Sequence, residues 1–291
     1  MKNTDFTKDP FFQIREYRFY HPALTREYTV LQVSDLHIMA LEPDSTEERK
    51  EKVAKQISAW DSVRIGFAKA YGDDYGQEHL LDTTEGLERV VAMANETMPD
   101  ALILSGDMME DYSEENLRAL TAGCRKLQMP WMWVCGNHEV GHEEAYRPLM
   151  QNDPSVQLLD VGELRFVGIN NAAKKVCEEQ TARCTELAGE APVSMLVMHI
   201  PMLTKNNAEE TSHFSPYFLL GTGDVDDATR AFIDGMERDD DPFAMVLCGH
   251  VHGANVSFYR PGHPQICTSS AMVGACSLLK FLPGKEIKLE Y

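Results

Sequence analysis

The stretch YTVLQVSDLH, residues 28–37, decides the reading. Its first seven residues are almost continuously apolar, as a strand covered on both faces is, and they run directly into Asp35-Leu36-His37. The same arrangement recurs along the chain. ALILSG (101–106) runs into Asp107, PWMWVCG (130–136) into Asn137-His138-Glu139, VSMLVM (193–198) into His199, and FAMVLCG (243–249) into His250-Val251-His252. A sixth run of strand character, LRFVGIN, spans 164–170. Between these runs lie amphipathic stretches of helical spacing at 86–98, 113–127 and 226–238, the second opened by the capping residue Ser113 and the third by an Asp. Alternating strands and helices imply α/β layering, in which the carboxyl ends of the strands gather at one crevice.

The flanks differ from this middle. FFQIREYRFYHP, near the start, alternates apolar and charged residues and predicts an edge strand. The last forty residues, with QICTSS, SLLKFL and EIKLEY separated by Gly and Pro, predict an antiparallel finish. Residues 40–82 are polar and charge-rich with helical patches and no strand, which predicts a helical insertion within one domain spanning 1–291. Its cations Arg49, Lys50, Lys52, Lys55, Arg64 and Lys69 could approach a phosphate, but the acidic residues among them favour a solvated helical face, and Asp239-Asp240-Asp241 reads as a solvated loop.

Composition narrows the function classes. With 27 Lys plus Arg against 46 Asp plus Glu the net charge is −19, which repels nucleic-acid backbones and anionic membrane surfaces. The first thirty residues lack an apolar core of the secretory kind, and no apolar run approaches the roughly 18 residues of a membrane helix. Seven cysteines without a CxxC pair read as reduced thiols, so a cytoplasmic protein is expected. GxSxG and GxxxxGK[ST] are both absent, which removes the serine-hydrolase and P-loop readings.

Any one of the strand-end histidines, taken alone, reads as a turn or core residue satisfied by backbone hydrogen bonds. Five of the ten histidines of the chain, however, fall at these ends together with Asp35 and Asp107, each directly after an apolar run. Asp35, His37, Asp107, Asn137, His199, His250 and His252 supply seven donors, and one bridging carboxylate raises them to the roughly eight contacts that two adjacent metal ions need. Oxygen and imidazole donors without thiolate suit Mn, Fe, Zn, Co or Ni.

The ordered set Asp-x-His, Gly-Asp, Gly-Asn-His-Glu, His and Gly-His-x-His, spread from Asp35 to His252, closely resembles the calcineurin-like metallophosphoesterase superfamily. The resemblance implies a two-sheet mixed β-sandwich flanked by helices, a four-layer α-β-β-α arrangement. It implies that Asp35, His37 and His252 hold one divalent or trivalent transition metal ion and that Asn137, His199 and His250 hold a second, with Asp107 bridging. It further implies hydrolysis of a phosphomonoester or phosphodiester through in-line attack by a metal-bridging hydroxide, with His138 protonating the leaving oxygen or stabilising the transition state. Glu110, three residues after Asp107, either orients His138 or is a solvated helix-start carboxylate.

Two subfamily patterns are not met. Glu110 replaces the tyrosine of purple acid phosphatases, and Gly106-Asp-Met-Met-Glu-Asp-Tyr112 departs from the Gly-Asp-x-x-Asp-Arg-Gly of serine/threonine phosphatases. The expected partner is a small phosphoester, with nucleic acid disfavoured and no membrane. The competing reading is a non-catalytic metal-binding scaffold on the same fold, which typically loses ligands; every ligand position is filled here.

Overall fold

All six apolar runs form strands, each stopping before the polar residues that follow it. The computed structural model describes residues 6–150, 153–189 and 191–291. In chain order the strands are β1 (Gln13–His21), β2 (Tyr28–Val33), β3 (Ala101–Leu104), β4 (Trp131–Trp133), β5 (Val156–Val161), β6 (Leu164–Ile169), β7 (Val193–Val197), β8 (Phe243–Cys248), β9 (Asn255–Arg260), β10 (His263–Cys267), β11 (Ala275–Pro283) and β12 (Lys288–Glu290). The helices are α1 (Glu47–Ala70), α2 (Asp74–Glu78), α3 (Thr83–Thr97), α4 (Glu114–Cys124), α5 (Glu143–Tyr146), α6 (Glu178–Ala188) and α7 (Asp227–Met236). Four of them start where a side chain satisfies an orphan backbone N–H: Thr46 caps α1, Asp82 caps α3, Ser113 caps α4 and Asp226 caps α7.

The strands build two mixed six-stranded sheets, ordered β12-β1-β11-β2-β3-β4 and β5-β6-β7-β8-β10-β9. Phe19, Val30 and Ile103 of the first sheet meet Phe166, Val197 and Leu247 of the second in the core between them. Leu87, Val90 and Leu120 of α3 and α4 cover the outer face of the first sheet, and Cys184, Phe232 and Ile233 of α6 and α7 that of the second. The result is the flanked two-sheet sandwich expected. Because β2, β3 and β4 are mutually parallel, as are β7 and β8, their carboxyl ends open at one edge of the sandwich.

Several local expectations are corrected. β1 is not an edge strand: it pairs in parallel with β11 and antiparallel with β12, whose three residues come from the far end of the chain. The finish is mixed instead of antiparallel: β10 joins β8 and β11 joins β1 in parallel, while β10–β9, β11–β2 and β12–β1 are antiparallel. Residues 40–82 do hold α1 and α2, but the cations are not all solvated. Arg49 pairs with Asp111 at 3.1 Å and bonds Asn116, while buried Arg64 donates to the Leu81 carbonyl, so both tie the segment down. Asp241 is likewise buried against Arg260, 3.4 Å away, instead of solvated.

Candidate active site

Seven non-glycine residues of the described chain have positive φ, and five of them are Asp35 (55°), His37 (52°), Asp107 (50°), His250 (69°) and His252 (54°). Left-handed backbone is costly for side chains with a Cβ and persists only where surroundings over-determine it. Here the turns after β2, β3 and β8 are locked to one another. Asp35 N–H donates to the Gly106 carbonyl and His37 N–H to the Asp107 carbonyl, at 3.0 and 3.1 Å. His250 N–H donates to the Asp35 carboxylate at 3.0 Å, joining the two sheets. The crowding excludes larger residues: a Cβ on Gly106 (φ 99°) would lie 2.3 Å from His199 Nδ1, and one on Gly136 would lie 2.1 Å from Asp107 Oδ1.

The side chains converge as three sets, two of strand-end donors and a third, His37, Glu110 and His138, that shares His37 with the first. In the first, Asp35, His37 and His252 bring one donor atom each within 4.8 Å of the others. His37 Nε2 lies 3.1 Å from His252 Nε2, which lies 3.2 Å from Asp35 Oδ1. In the second, Asp107, His199 and His250 do the same. His199 donates Nδ1–H to the Ser105 carbonyl at 2.8 Å, which turns Nε2 toward Asp107 Oδ2, 3.1 Å away. That buried Nε2 makes no hydrogen bond of regular geometry. A ring nitrogen left over beside a buried carboxylate, with the other nitrogen fixed by a carbonyl, is how a metal-ligating histidine is presented once a cation displaces the proton drawn there. His37 is prepared in the same way: Nδ1–H donates to Glu110 Oε2 at 2.9 Å and leaves Nε2 for the cluster.

Electrostatics match this division. Burial and the nearby His252 push the His37 imidazole down, and burial with His199 brings His250 down to about 4, so both are neutral at pH 7. Burial works to raise the Asp35 carboxyl, but His252 and His199 hold it at about 2. Asp107 is lowered too, against its burial, by His199 and His37. Burial would lower His199, yet the Asp107 and Asp35 carboxylates carry it up to about 10. The negative field that draws a proton there would equally draw a metal cation. The donors and this Nε2 therefore fit an ion in each of the two strand-end sets.

Glu110 answers the two readings left open for it: it is no solvated carboxylate. Its side chain serves His37, while its carbonyl accepts from His138 Nδ1–H at 2.6 Å; its carboxylate is 3.6 Å from that nitrogen. His138 is half-buried, edge-on to His37 with ring centroids 4.7 Å apart, and its backbone N–H donates to Asp107 Oδ1 at 2.9 Å. Burial opposes protonation of His138, but Asp107 and the Glu110 carbonyl raise its pKa overall. Asn137 sits exposed at the start of a 3-10 turn immediately beyond Gly136, next to Asp107. It belongs to none of these sets of His, Asp and Glu donors.

Sequence reasoning missed three features. Buried Glu139 accepts backbone N–H bonds from Asp107, Met109 and Gly136 at 3.0, 2.9 and 2.6 Å, so one carboxylate shapes the turn carrying Asp107. Burial and the Asp107 charge push its pKa up to about 7. Its place beside Asn137-His138 was the available signal. Trp60 of α1 lies over His37 and His252, with ring centroids 5.1 and 5.5 Å away, and Phe67 faces His252 at 5.7 Å. On the other side Phe218 faces His250 at 5.6 Å. No local pattern marks these aromatics.

The family model described as calcineurin-like phosphoesterase matches residues 28–254. No curated protein matches. Among solved structures, a dimetal phosphatase from Danio rerio is similar at 11% identity and a TM-score of 0.55, covering 86% of this chain and 91% of that one. The calcineurin-like phosphoesterase YfkN from Bacillus subtilis is similar at 9% identity and a TM-score of 0.41, covering 85% and 82%. The first of these is a likeness of fold.

Proposed function

Because the chain belongs to the calcineurin-like phosphoesterase family, we propose that it is a dinuclear metal-dependent hydrolase of small phosphomonoesters or phosphodiesters. The observation that carries this reading is the pair of converging sets, Asp35/His37/His252 and Asp107/His199/His250, with His138 beside them. Asp35, His37 and His252 would hold one ion, His199, His250 and Asn137 a second, and Asp107 would bridge. Two such ions, of the Mn, Fe, Zn or Ni class, supply Lewis-acid polarisation of phosphoryl oxygens and a nucleophile at neutral pH.

The residues do the rest. Glu110 and the Ser105 carbonyl fix the tautomers of His37 and His199, so that Nε2 faces the reacting centre. His138, held through Nδ1 by the Glu110 carbonyl, has Nε2 left to deliver a proton to the departing oxygen. Its raised pKa keeps the proton available there. Beside it an open cavity of about 410 Å³, lined by Asn137, His138, Tyr112, Val140, His142 and Lys52, gives a leaving group room.

A small substrate follows from the net charge of −19, which penalises polyanions. No described helix is long and apolar enough to cross a membrane. We place the protein in the cytoplasm, a reading supported by its seven free cysteines.

The test is hydrolysis of an aryl phosphate and a bis-aryl phosphate after loading with Mn, Fe, Zn or Ni. Turnover of either substrate under one loading, abolished by chelation, is expected. No turnover under any loading would overturn the reading in favour of a metal-binding scaffold.

A further inference from the structure

We propose that the protein carries a second anion site, separate from the histidine clusters: the cavity lined by Gln13, Arg15, Tyr71, Ser269 and Ser277 binds a small oxyanion of the phosphate or sulfate type.

Strand alternation puts Gln13, Arg15 and Tyr17 of β1 on one face. β11 runs parallel beside them with Gln13 opposite Ala275 and Arg15 opposite Ser277. Tyr71, the residue that ends α1, and Ser269, beyond β10, close the space into a cavity of about 220 Å³. Three separate parts of the chain thus meet around it.

The chemistry of the lining is one-sided. It offers a guanidinium, a side-chain amide and three hydroxyls, and no carboxylate. Glu16, next in sequence, belongs to the opposite face of β1 and pairs with Arg18 at 2.7 Å and Lys280 at 2.9 Å. Arg15 has no ion pair among the described residues. In a chain of net charge −19 that leaves a positive fork facing neutral donors. One buried polar atom of the lining, Gln13 Nε2, has no hydrogen-bond partner among the described residues. The Ser269 and Tyr71 protons are taken by the His252 carbonyl and by Ser269, so the guanidinium and the Gln13 amide N–H are the donors that a tetrahedral oxyanion, with its several acceptors, would satisfy together.

The cavity also backs onto the first histidine cluster. Ser269 Oγ donates to the His252 carbonyl at 2.6 Å, and the Tyr71 hydroxyl bonds Ser269. An anion held here would brace α1 and the His252 turn without touching the metal ligands.

The test is calorimetric titration of the metal-loaded protein with inorganic phosphate at fixed ionic strength in chloride, with selenate soaked into crystals to locate the site. Wild type is expected to show a binding event that R15Q weakens by at least about tenfold, the worth of a charge-assisted hydrogen bond. A selenium peak is expected within hydrogen-bond distance of Arg15. R15Q should keep the basal hydrolytic rate. If R15Q does not fold, R15K decides, since it keeps the charge and loses the fork; it too should weaken binding. Equal stoichiometry and affinity in wild type and the folded Arg15 variant, or selenate found only at the histidine clusters, would overturn the proposal. Both readouts measure binding, so they stand whether or not a phosphoester is hydrolysed.

Discussion

The Glu110 carboxylate and the His37 imidazole, 73 positions apart in sequence, meet at 2.9 Å in a hydrogen bond that faces away from the donor cluster. The bond sets which nitrogen of His37 carries the proton. Glu110→Ala is therefore expected to weaken metal binding by about 10- to 100-fold, the usual cost of losing a ligand's outer partner. Glu110→Gln, which keeps an acceptor, should weaken it less. Titration with Mn followed by electron paramagnetic resonance measures this; wild-type affinity in Glu110→Ala would remove the role assigned to that carboxylate.

His138 lies at the cluster's edge, grouped with His37 and Glu110 and outside the sets Asp35/His37/His252 and Asp107/His199/His250. His138→Asn should lower kcat on an aryl phosphate by about 100- to 10,000-fold, the range of a lost general acid. Metal content should not change. A full rate in this variant would dismiss His138 as proton donor.

Glu139 is buried and holds three backbone N–H groups. Glu139→Ala strands all three and should cost on the order of 3 kcal/mol of stability, with Glu139→Gln losing less because one acceptor oxygen stays. Denaturant midpoints of the two variants give the comparison, and equal midpoints would contradict the account.

Burial raises the Asp241 carboxyl from 3.8 to about 7 despite nearby Arg260. Below pH about 4 the folded and unfolded states are both protonated and the group's stabilising contribution is complete; as pH rises toward 7 the unfolded chain releases the proton first and the contribution is lost. Asp241→Asn should accordingly gain stability relative to wild type between pH 4.5 and 7.5. A relative loss across that window would reverse the sign of the argument.

The donors were legible because each one directly follows an apolar run, and parallel strands carry such positions to one edge without further instruction. The capped helices were legible for the same local reason, as at Ser113 and Asp226. What escaped depends on distant partners. β1 looks like an edge until β12 arrives from the far end of the chain. Arg49 looks solvated until Asp111 meets it, and Asp241 until Arg260 does. β5 and α6 were not anticipated: VQLLDV breaks strict alternation, and EEQTARCTELA carries only a sparse apolar stripe. Trp60 gains meaning only when α1 folds over His37.

Metal stoichiometry tests the central claim most directly. Elemental analysis of the purified, metal-loaded chain should find two ions per molecule, falling to one or none in Asp107→Ala, with hydrolysis lost in parallel. A chain that binds no transition metal, or an Asp107→Ala variant that keeps both ions and the full rate, would contradict it.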